Sequence, residues 1–261
     1  MHTLQIRQLT SMEELREMQQ VERGVWHMDP IPVHQTFTAL HNGGIILGAF
    51  DGDDMVGFLY SFAGFDGTAP YLCSHMMGML PDYRMGGLGE SLKLKQAEIA
   101  RNLGYTMITW TYDPLESRNA YVNLHKLGAA GAVFQANHYG EMDDEFNQGL
   151  PTDRIQIKWD LTSEKKHPEV TVDAEKILLD GGNNHEPVIL GGLEKVETAA
   201  NEQVYFVAIP ADFQAVKQAD FEAAKSWRLQ SGKVFQKLFD HGFQASDLIR
   251  KEDFSYYVFT K

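Results

Sequence analysis

A glycine-rich turn between a predicted strand and a predicted helix is the part of the sequence best suited to chemistry. The turn lies in the segment 79–89, which reads MLPDYRMGGLG. Glycines allow backbone N–H groups to approach a phosphate closely, and the N-terminus of the following helix adds a partial positive charge. Arg84 can add a charge-assisted hydrogen bond. The segment therefore predicts a local site for an anion.

The spacing of the glycines narrows the kind of anion site. The P-loop pattern G-x-x-x-x-G-K-[ST] is absent, and the dinucleotide pattern G-x-G-x-x-G fails because Leu92 stands where the third glycine would be. The pattern R-x-x-G-x-G is filled by Arg84, Gly87 and Gly89. This pattern resembles the acyl-CoA-binding motif of the GNAT N-acyltransferase superfamily. The alternative is a glycine-rich turn that binds no ligand.

The resemblance to GNAT proteins implies a co-substrate and the backbone groups that hold it. The co-substrate is acetyl-CoA or another acyl-CoA. In that superfamily the strand before the turn leaves backbone groups free for the pantetheine arm and the thioester carbonyl, and here these groups belong to Met77, Met79 and Leu80. The N–H groups around the pyrophosphate belong to Met85, Gly86, Gly87, Leu88 and Gly89. The implied reaction is direct attack of an amine on the thioester, without a covalent enzyme intermediate.

Transfer to an amine needs a base, because a free amine is mostly protonated at neutral pH. His75 is the predicted catalytic base, since a neutral imidazole with a pKa near ~6.5 suits the task. Alternation along a strand places His75 on the same face as Met77 and Met79. Some GNAT enzymes that act on small amines resemble this arrangement, with a histidine on this strand. The alternative is a strand histidine that binds a backbone carbonyl.

The departing thiolate needs a proton, which a tyrosine in the helix after strand five often supplies in the superfamily. Leu124 stands at the position of that tyrosine. Tyr121, one turn earlier, is the predicted substitute, with His125 and Tyr139 nearby in the sequence. Tyr121 can equally be a surface or core aromatic. The resemblance also implies that Asn119 touches the pantetheine arm.

A wider resemblance points to the acceptor. Nine stretches are similar to a longer subgroup of GNAT acyltransferases associated with N-acylamino-acid metabolism, including succinyl transfer to amino acids; they are residues 74–78, 92–93, 110–115, 118–120, 123–124, 127–129, 139–140, 153–154 and 227–228. Arg154 opens a predicted strand and can bind a carboxylate bidentately. The alternative for Arg154 is an ion pair with Asp153 or Asp113. We also place Asp113 at the acceptor site, with Trp26 and Trp110 as pocket walls, although buried tryptophans are more often core residues.

The predicted elements have to position these residues. Short strands and helices alternate through residue 160; the strands are expected at 3–9, 45–50, 55–62, 71–80, 106–112, 132–138 and 155–161 and the helices from residue 11, at 33–40, 87–103 and 116–127. This order resembles the GNAT fold, an α/β (α+β) fold with a mixed, mostly antiparallel sheet flanked by helices.

The last hundred residues differ in character. A polar connecting region at 162–203 carries two short predicted strands, at 177–179 and 188–190. A β-α-β extension at 204–261 follows, with strands at 204–209 and 255–260 around a helix at 213–241 that breaks near Gly232. The predicted domains are thus an acyl-CoA-binding GNAT domain at 1–161, the connecting region and a smaller C-terminal α/β domain. We expect the extension to complete the acceptor pocket or an oligomer interface, which leaves a homodimer open.

Composition and charge exclude several classes of function. The 261 residues include 23 Lys+Arg against 36 Asp+Glu, a net charge of −13, which argues against a nucleic-acid partner. No apolar run approaches the ~20 residues of a membrane span, so no membrane partner is predicted. Cys73 is the single cysteine and the ten histidines match no metal motif, so no metal is predicted. One cysteine and no signal-like segment in residues 1–20 favour a cytoplasmic location.

The sequence therefore predicts an acyl-CoA-dependent N-acyltransferase. It moves an acetyl, succinyl or similar acyl group to the amine of a small molecule, expected to be an amino acid or a related carboxylate-bearing amine. The competing interpretation is a GNAT-fold protein that binds CoA as a sensor or scaffold without turnover. His75 favours the enzyme, and Leu124 in place of tyrosine favours the binding protein.

Overall fold

The computed structural model describes residues 4–84, 86–142, 149–163, 170–182, 186–191, 193–194 and 204–261. The chain divides into two compact units. Unit 1 comprises residues 1–110 and 159–163, and unit 2 comprises residues 111–158 and 164–261. The domain boundaries expected from the sequence stay a prediction.

Unit 1 contains a sheet whose strands follow one another in chain order. The strands are β1 (Gln5–Gln8), β2 (Ile46–Asp51), β3 (Asp54–Phe65), β4 (Pro70–Met79) and β5 (Met107–Tyr112), the last of which ends in unit 2. Neighbours pair antiparallel as far as β4, and β5 pairs parallel with β4. The mixed, mostly antiparallel sheet predicted from the sequence is confirmed.

Helices cover both faces of this sheet. They are α1 (Met12–Trp26), α2 (Val33–His41) and α3 (Leu88–Asn102), with a short 3₁₀ turn at Pro81–Tyr83. A capping box starts α1, because the Ser11 side chain accepts from the amide of Glu14 and the Glu14 carboxylate accepts from the amide of Ser11. The apolar stripe of α1 then packs on buried residues of β3 such as Phe58 and Tyr60.

Unit 2 contains a second set of strands. Their order is β7-β6-β11-β12-β10-β8-β9, for β6 (Ala130–Gln135), β7 (Arg154–Asp160), β8 (Ile177–Gly181), β9 (Pro187–Ile189), β10 (Val204–Pro210), β11 (Gln244–Arg250) and β12 (Phe254–Thr260). β7 ends in unit 1. β10 and β8 pair parallel, and the other neighbours pair antiparallel.

Within the described part of unit 2, the helices are short except for one. They are α4 (Ser117–Ala120), which continues as a π-helical turn at Tyr121–Lys126, α5 (Phe213–Ala219) and α6 (Phe221–Asp240), besides a 3₁₀ turn at Ala174–Lys176. The predicted break near Gly232 is wrong. The helix breaks at Asp220, whose side chain caps α6 by accepting from the amide of Ala223, while Gly232 lies within α6.

The strand β11 was not predicted from the sequence. Gln244 and Asp247 interrupt its apolar alternation, and a bulge between Ala245 and Asp247 shifts its register on β12. The extension therefore has three strands where the sequence predicted two, and its two helices lie between the first and the second.

Candidate active site

The glycine-rich turn of unit 1 has the backbone geometry of an anion site. Gly86 and Gly87 have φ of +99° and +84°, which side chains other than glycine's rarely adopt. α3 begins directly afterwards, with Gly87 as its N-cap and no capping side chain. The first amides of an α-helix have no acceptor within the helix, so those of Leu88 and Gly89 are available to a ligand. Met85, which was assigned to the same loop, lies outside the described residues.

Arg84 lies beside this turn and is exposed. Its Nε donates to the carbonyl of Met79 at 3.2 Å. Tyr83 fixes the turn from the other side, since its hydroxyl donates to Asp51 Oδ2 at 2.8 Å. The guanidinium of Arg84 is thus held at the end of β4 while part of it faces solvent.

The second half of β4 runs next to the turn and diverges from β5. Among the described residues, β4 pairs with β5 at Leu72–Ile108 and Cys73–Thr109, and β4 continues to Met79. A Cβ built on Gly89 would lie 3.3 Å from Met77 Cε and 3.4 Å from Met79 Cε, so both side chains pack on the start of α3.

The backbone groups of Leu80 were expected to be free for the ligand, but both form hydrogen bonds within the protein. Its amide donates to the Val56 carbonyl at 3.0 Å, and its own carbonyl accepts from the Tyr83 amide at 2.9 Å. The edge of β4 that can receive an extended ligand therefore ends before Leu80.

A bulge in β4 determines where His75 points. Tyr60 pairs with Met76 and the next residue, Ser61, pairs with Ser74, so His75 is the extra residue on β4. The imidazole contacts the rings of Tyr60 and Phe62, with centroids 6.0 and 5.8 Å apart.

The two faces of β4 can be assigned from its neighbours. Gly78 lies against Trp26 of α1, whereas Met77 and Met79 lie against Gly89 of α3. Tyr60 belongs to the core cluster packed by α1, and Phe62 packs on that cluster. His75 therefore lies on the face of α1 and α2. The prediction that it shares a face with Met77 and Met79 is wrong, because the bulge inverts the alternation.

The surroundings of His75 adjust its chemistry. Part of the imidazole is exposed, and the rest lies against aromatic rings. Desolvation lowers the pKa of His75 below its ordinary value of 6.5. The neutral form, which can accept a proton, therefore predominates at neutral pH.

The two tryptophans assigned to the acceptor pocket are packed within unit 1. Trp26 lies edge-on to Phe58 with ring centroids 5.8 Å apart. Trp110 is 8% exposed and lies edge-on to Trp159 at 6.1 Å. These contacts favour the alternative given with the assignment, in which both rings belong to the core.

Asp113 and Arg154 lie together in unit 2, in a buried charged cluster with a third member that received no role in the sequence analysis. Arg228 of α6 donates to both carboxylate oxygens of Asp113, at 2.8 and 2.5 Å. Arg154 Nη1 lies 3.7 Å from Asp113 Oδ2 and donates to the carbonyl of Asp153 at 2.8 Å. The ion pair between Arg154 and Asp113, the alternative left open above, is thus present.

Helical spacing is the signal that could have identified Arg228. The buried residues of α6 recur every three or four positions; they are Ala224, Trp227, Arg228, Ser231, Val234, Phe235 and Leu238. An arginine within such a stripe must have a buried partner, because an unpaired buried charge is very costly.

Tyr121 and Asn119 also lie in unit 2. Tyr121 begins the π-helical turn, and its ring stacks on His125 with centroids 4.7 Å apart. His125 Nδ1 lies 2.9 Å from Asp247 Oδ1 on β11. Leu124, at the position of the superfamily's tyrosine, is fully buried, and Asn119 is exposed. π-Helical turns are frequent at functional sites, and the roles assigned to Tyr121 and Asn119 stay predictions.

The described residues contain neither a cluster suited to a metal ion nor a helix suited to cross a membrane. No group of three or more His, Cys, Asp or Glu side chains in that part of the chain is arranged to hold a metal ion. Across the same residues, no helix combines the length and the apolar character needed to cross a bilayer.

Comparison with known proteins finds a matching family model and solved structures of similar fold. A family model described as the acetyltransferase (GNAT) family matches residues 11–129. The structure of the Salmonella typhimurium protein yncA with its cofactor acetyl-CoA aligns with a TM-score of 0.51 and 14% identity, over 65% of this chain and 99% of that one. A phosphinothricin acetyltransferase from Sinorhizobium meliloti in complex with acetyl-CoA aligns with a TM-score of 0.51 and 17% identity, over 66% and 97%.

A third solved structure has the same fold. The ribosomal-protein-S18-alanine N-acetyltransferase of Escherichia coli aligns with a TM-score of 0.50 and 15% identity, over 65% of this chain and 100% of that one. No curated protein matches the chain. The matched region contains the glycine-rich turn, the bulged strand and α3. Residues 11–129 thus match the GNAT acetyltransferase family, and the chain continues beyond them in a C-terminal extension.

Proposed function

We propose that the protein transfers an acetyl, succinyl or similar acyl group from CoA to the amine of a small molecule. The observation that carries the proposal is the junction of β4 and α3 in unit 1. This junction contains a turn with two left-handed glycines, the uncapped N-terminus of α3 and Arg84. They lie next to the part of β4 that no longer pairs with β5. A polyanionic cofactor with an extended arm fits such a junction, because amide donors meet the phosphates and strand groups meet the arm.

The proposed reaction needs no covalent enzyme intermediate. The amine nitrogen attacks the thioester carbonyl, the C–N bond forms, and the C–S bond breaks to release the CoA thiolate. His75 takes a proton from the amine. This role is supported by its position on β4, by its partly exposed ring and by its lowered pKa. Tyr121 stays the predicted proton donor to the thiolate.

For the acceptor we propose an amino acid or a related carboxylate-bearing amine. The support is Arg154, a buried guanidinium at the start of β7 that lies 3.7 Å from the Asp113 carboxylate, because the planar donors of arginine match the geometry of a carboxylate.

The Arg154→Gln variant tests the acceptor class. We expect its KM for amino acids to rise at least about 10-fold, because a charge-assisted hydrogen bond contributes roughly 1.5–3 kcal/mol. The KM for the corresponding amines without the carboxylate is expected to stay unchanged. Equal KM values for amino acids in variant and wild type would contradict the assignment.

The experiment that tests the reaction itself follows release of the free thiol. The protein is incubated with acetyl-, propionyl- or succinyl-CoA and a panel of amines and amino acids. Thiol release that depends on the acceptor is the expected result. The buried Leu124 favours one other function, a sensor or scaffold that binds CoA without turnover. That function predicts no release with any pair, while CoA still raises the melting temperature.

Replacing Arg84 by alanine tests the anion site. We expect the KM for acyl-CoA to rise about 10-fold and kcat to change little, because a charge-assisted contact to phosphate is lost in both the ground state and the transition state. Arg16→Ala on α1 is the matched control, since Arg16 is exposed and pairs with Glu13. An acyl-CoA KM that is the same in both variants would remove Arg84 from the site.

A further inference from the structure

A polar cluster in the interior of unit 1 lies on the side of β4 opposite to His75. It consists of Ser74, Lys93 and Gln96. Lys93 Nζ donates to Ser74 Oγ at 2.7 Å, and Gln96 Nε2 donates to the same oxygen at 3.1 Å. A serine oxygen has two lone pairs, so both of its acceptor positions are used. Two side chains of α3 thus hold Ser74.

Lys93 is an unusual residue for this place. It is 3% exposed, and its Nζ lies 3.7 Å from the centroid of the Trp110 ring. In the described part of the chain no carboxylate forms an ion pair with it. Burial lowers the pKa of Lys93 to about 7. A methionine would fill the same space without the cost of burying an amine, which indicates that the amine has a task.

That task follows from the place of Ser74 in the strand. Ser74 pairs with Ser61 and immediately precedes the extra residue of the bulge, His75. In a regular strand a change of register by one residue moves a side chain to the other face. Without the bulge, His75 would turn to the face of α3, where Met77 and Met79 lie. The contact that fixes Ser74 therefore also fixes the direction of His75.

We propose that Lys93, through its hydrogen bond to Ser74, is a positioning residue that holds the β4 bulge and keeps His75 on the face of α1 and α2. The catalytic consequence rests on the proposed function, in which His75 is the base. The structural part, the direction of the imidazole, does not depend on turnover.

Titration of His75 by NMR is the experiment that tests the proposal. The variants are Lys93→Met and Ser74→Ala; Ser74→Thr retains the hydroxyl, and Lys95→Met is a control on the exposed side of the same helix. The His75 signal is assigned by its loss in His75→Gln. We expect the pKa of His75 to rise toward 6.5 in Lys93→Met and Ser74→Ala, because the ring leaves Tyr60 and Phe62. Ser74→Thr and Lys95→Met should retain the wild-type value.

Thiol release provides the second readout. With the acyl-CoA and amine pair that reacts fastest, we expect kcat to fall about 10- to 100-fold in Lys93→Met and Ser74→Ala, since a misplacement of about 1 Å costs roughly 10²-fold. The KM for acyl-CoA should stay unchanged, which a general loss of structure would not achieve.

The outcomes separate the two proposals. If the pKa of His75 is unchanged in the folded Ser74→Ala variant, the positioning role is overturned. If the Lys93→Met variant does not fold, the pKa of His75 in Ser74→Ala alone decides between the two results. Absence of thiol release from the wild-type protein overturns the proposed function, whereas the titration of His75 still decides the role of Lys93.

Discussion

Replacing His75 by glutamine is expected to lower kcat by about 10²- to 10⁴-fold, the usual contribution of a general base. Glutamine retains the approximate size of the side chain and its capacity for hydrogen bonds, but it cannot accept the amine proton. The KM for acyl-CoA should change little, because the glycine-rich turn lies elsewhere on unit 1 and is unaffected. Steady-state kinetics of thiol release measure both constants.

The pH dependence of the reaction gives a second measure of the same residue. Desolvation lowers the pKa of His75, so the imidazole loses its proton below the ordinary value of 6.5. The wild-type kcat/KM is therefore expected to rise with pH at mildly acidic values and to level off before neutrality. The glutamine variant should lack that rise.

A histidine on the surface of α2 provides the control. His34 is exposed and lies on no strand of the site, so His34→Gln should retain the wild-type rate and pH profile. A His75→Gln variant with the wild-type kcat would show that another group is the base, and it would leave the binding of acyl-CoA by unit 1 untouched.

Replacing Arg228 by methionine is expected to destabilise unit 2 by about 3 kcal/mol, near the lower end of the range for breaking a buried ion pair. Arg228 is 2% exposed, and its loss leaves Asp113 with the more distant Arg154. The corresponding decrease in melting temperature is roughly 6–12 °C. Calorimetry or chemical denaturation measures it.

Two variants show whether the pair or the helix is responsible. Lys225→Met changes an exposed lysine on the same helix and should leave stability within about 0.5 kcal/mol. Adding Asp113→Leu to Arg228→Met should recover part of the loss, because the buried carboxylate that Arg228 neutralised is then removed as well. Equal melting temperatures for Arg228→Met and Lys225→Met would contradict a stabilising ion pair.

The elements that sequence reasoning located well are those fixed by local interactions. The capping box at Ser11 starts α1 through contacts within one turn. Gly104, with a φ of +88°, follows the end of α3. The glycine-rich turn is also local, since its left-handed glycines and the helix that follows are adjacent in the chain. Such signals need no knowledge of distant residues.

The features that sequence reasoning missed depend on partners far along the chain. The bulge at His75 exists because Ser74 is held by α3 while Tyr60 pairs with Met76, and strand alternation alone cannot show it. β11 was missed because Asp247 interrupts its apolar pattern. The Asp247 carboxylate accepts from the amide of Leu248 and lies 2.9 Å from His125 Nδ1. In both places a polar contact overrides the periodicity on which the prediction rested.

The buried amine of Lys93 makes the free energy of unfolding vary with pH in the neutral to alkaline range. Its pKa is about 7 in the folded protein and 10.5 ordinarily. Between these values the unfolded chain binds a proton that the folded chain does not, so stability rises with pH by up to about 1.4 kcal/mol per unit. Below pH 7 both states are protonated and the whole unfavourable contribution is present. The free energy of unfolding is thus expected to be lower at neutral pH than at mildly alkaline pH.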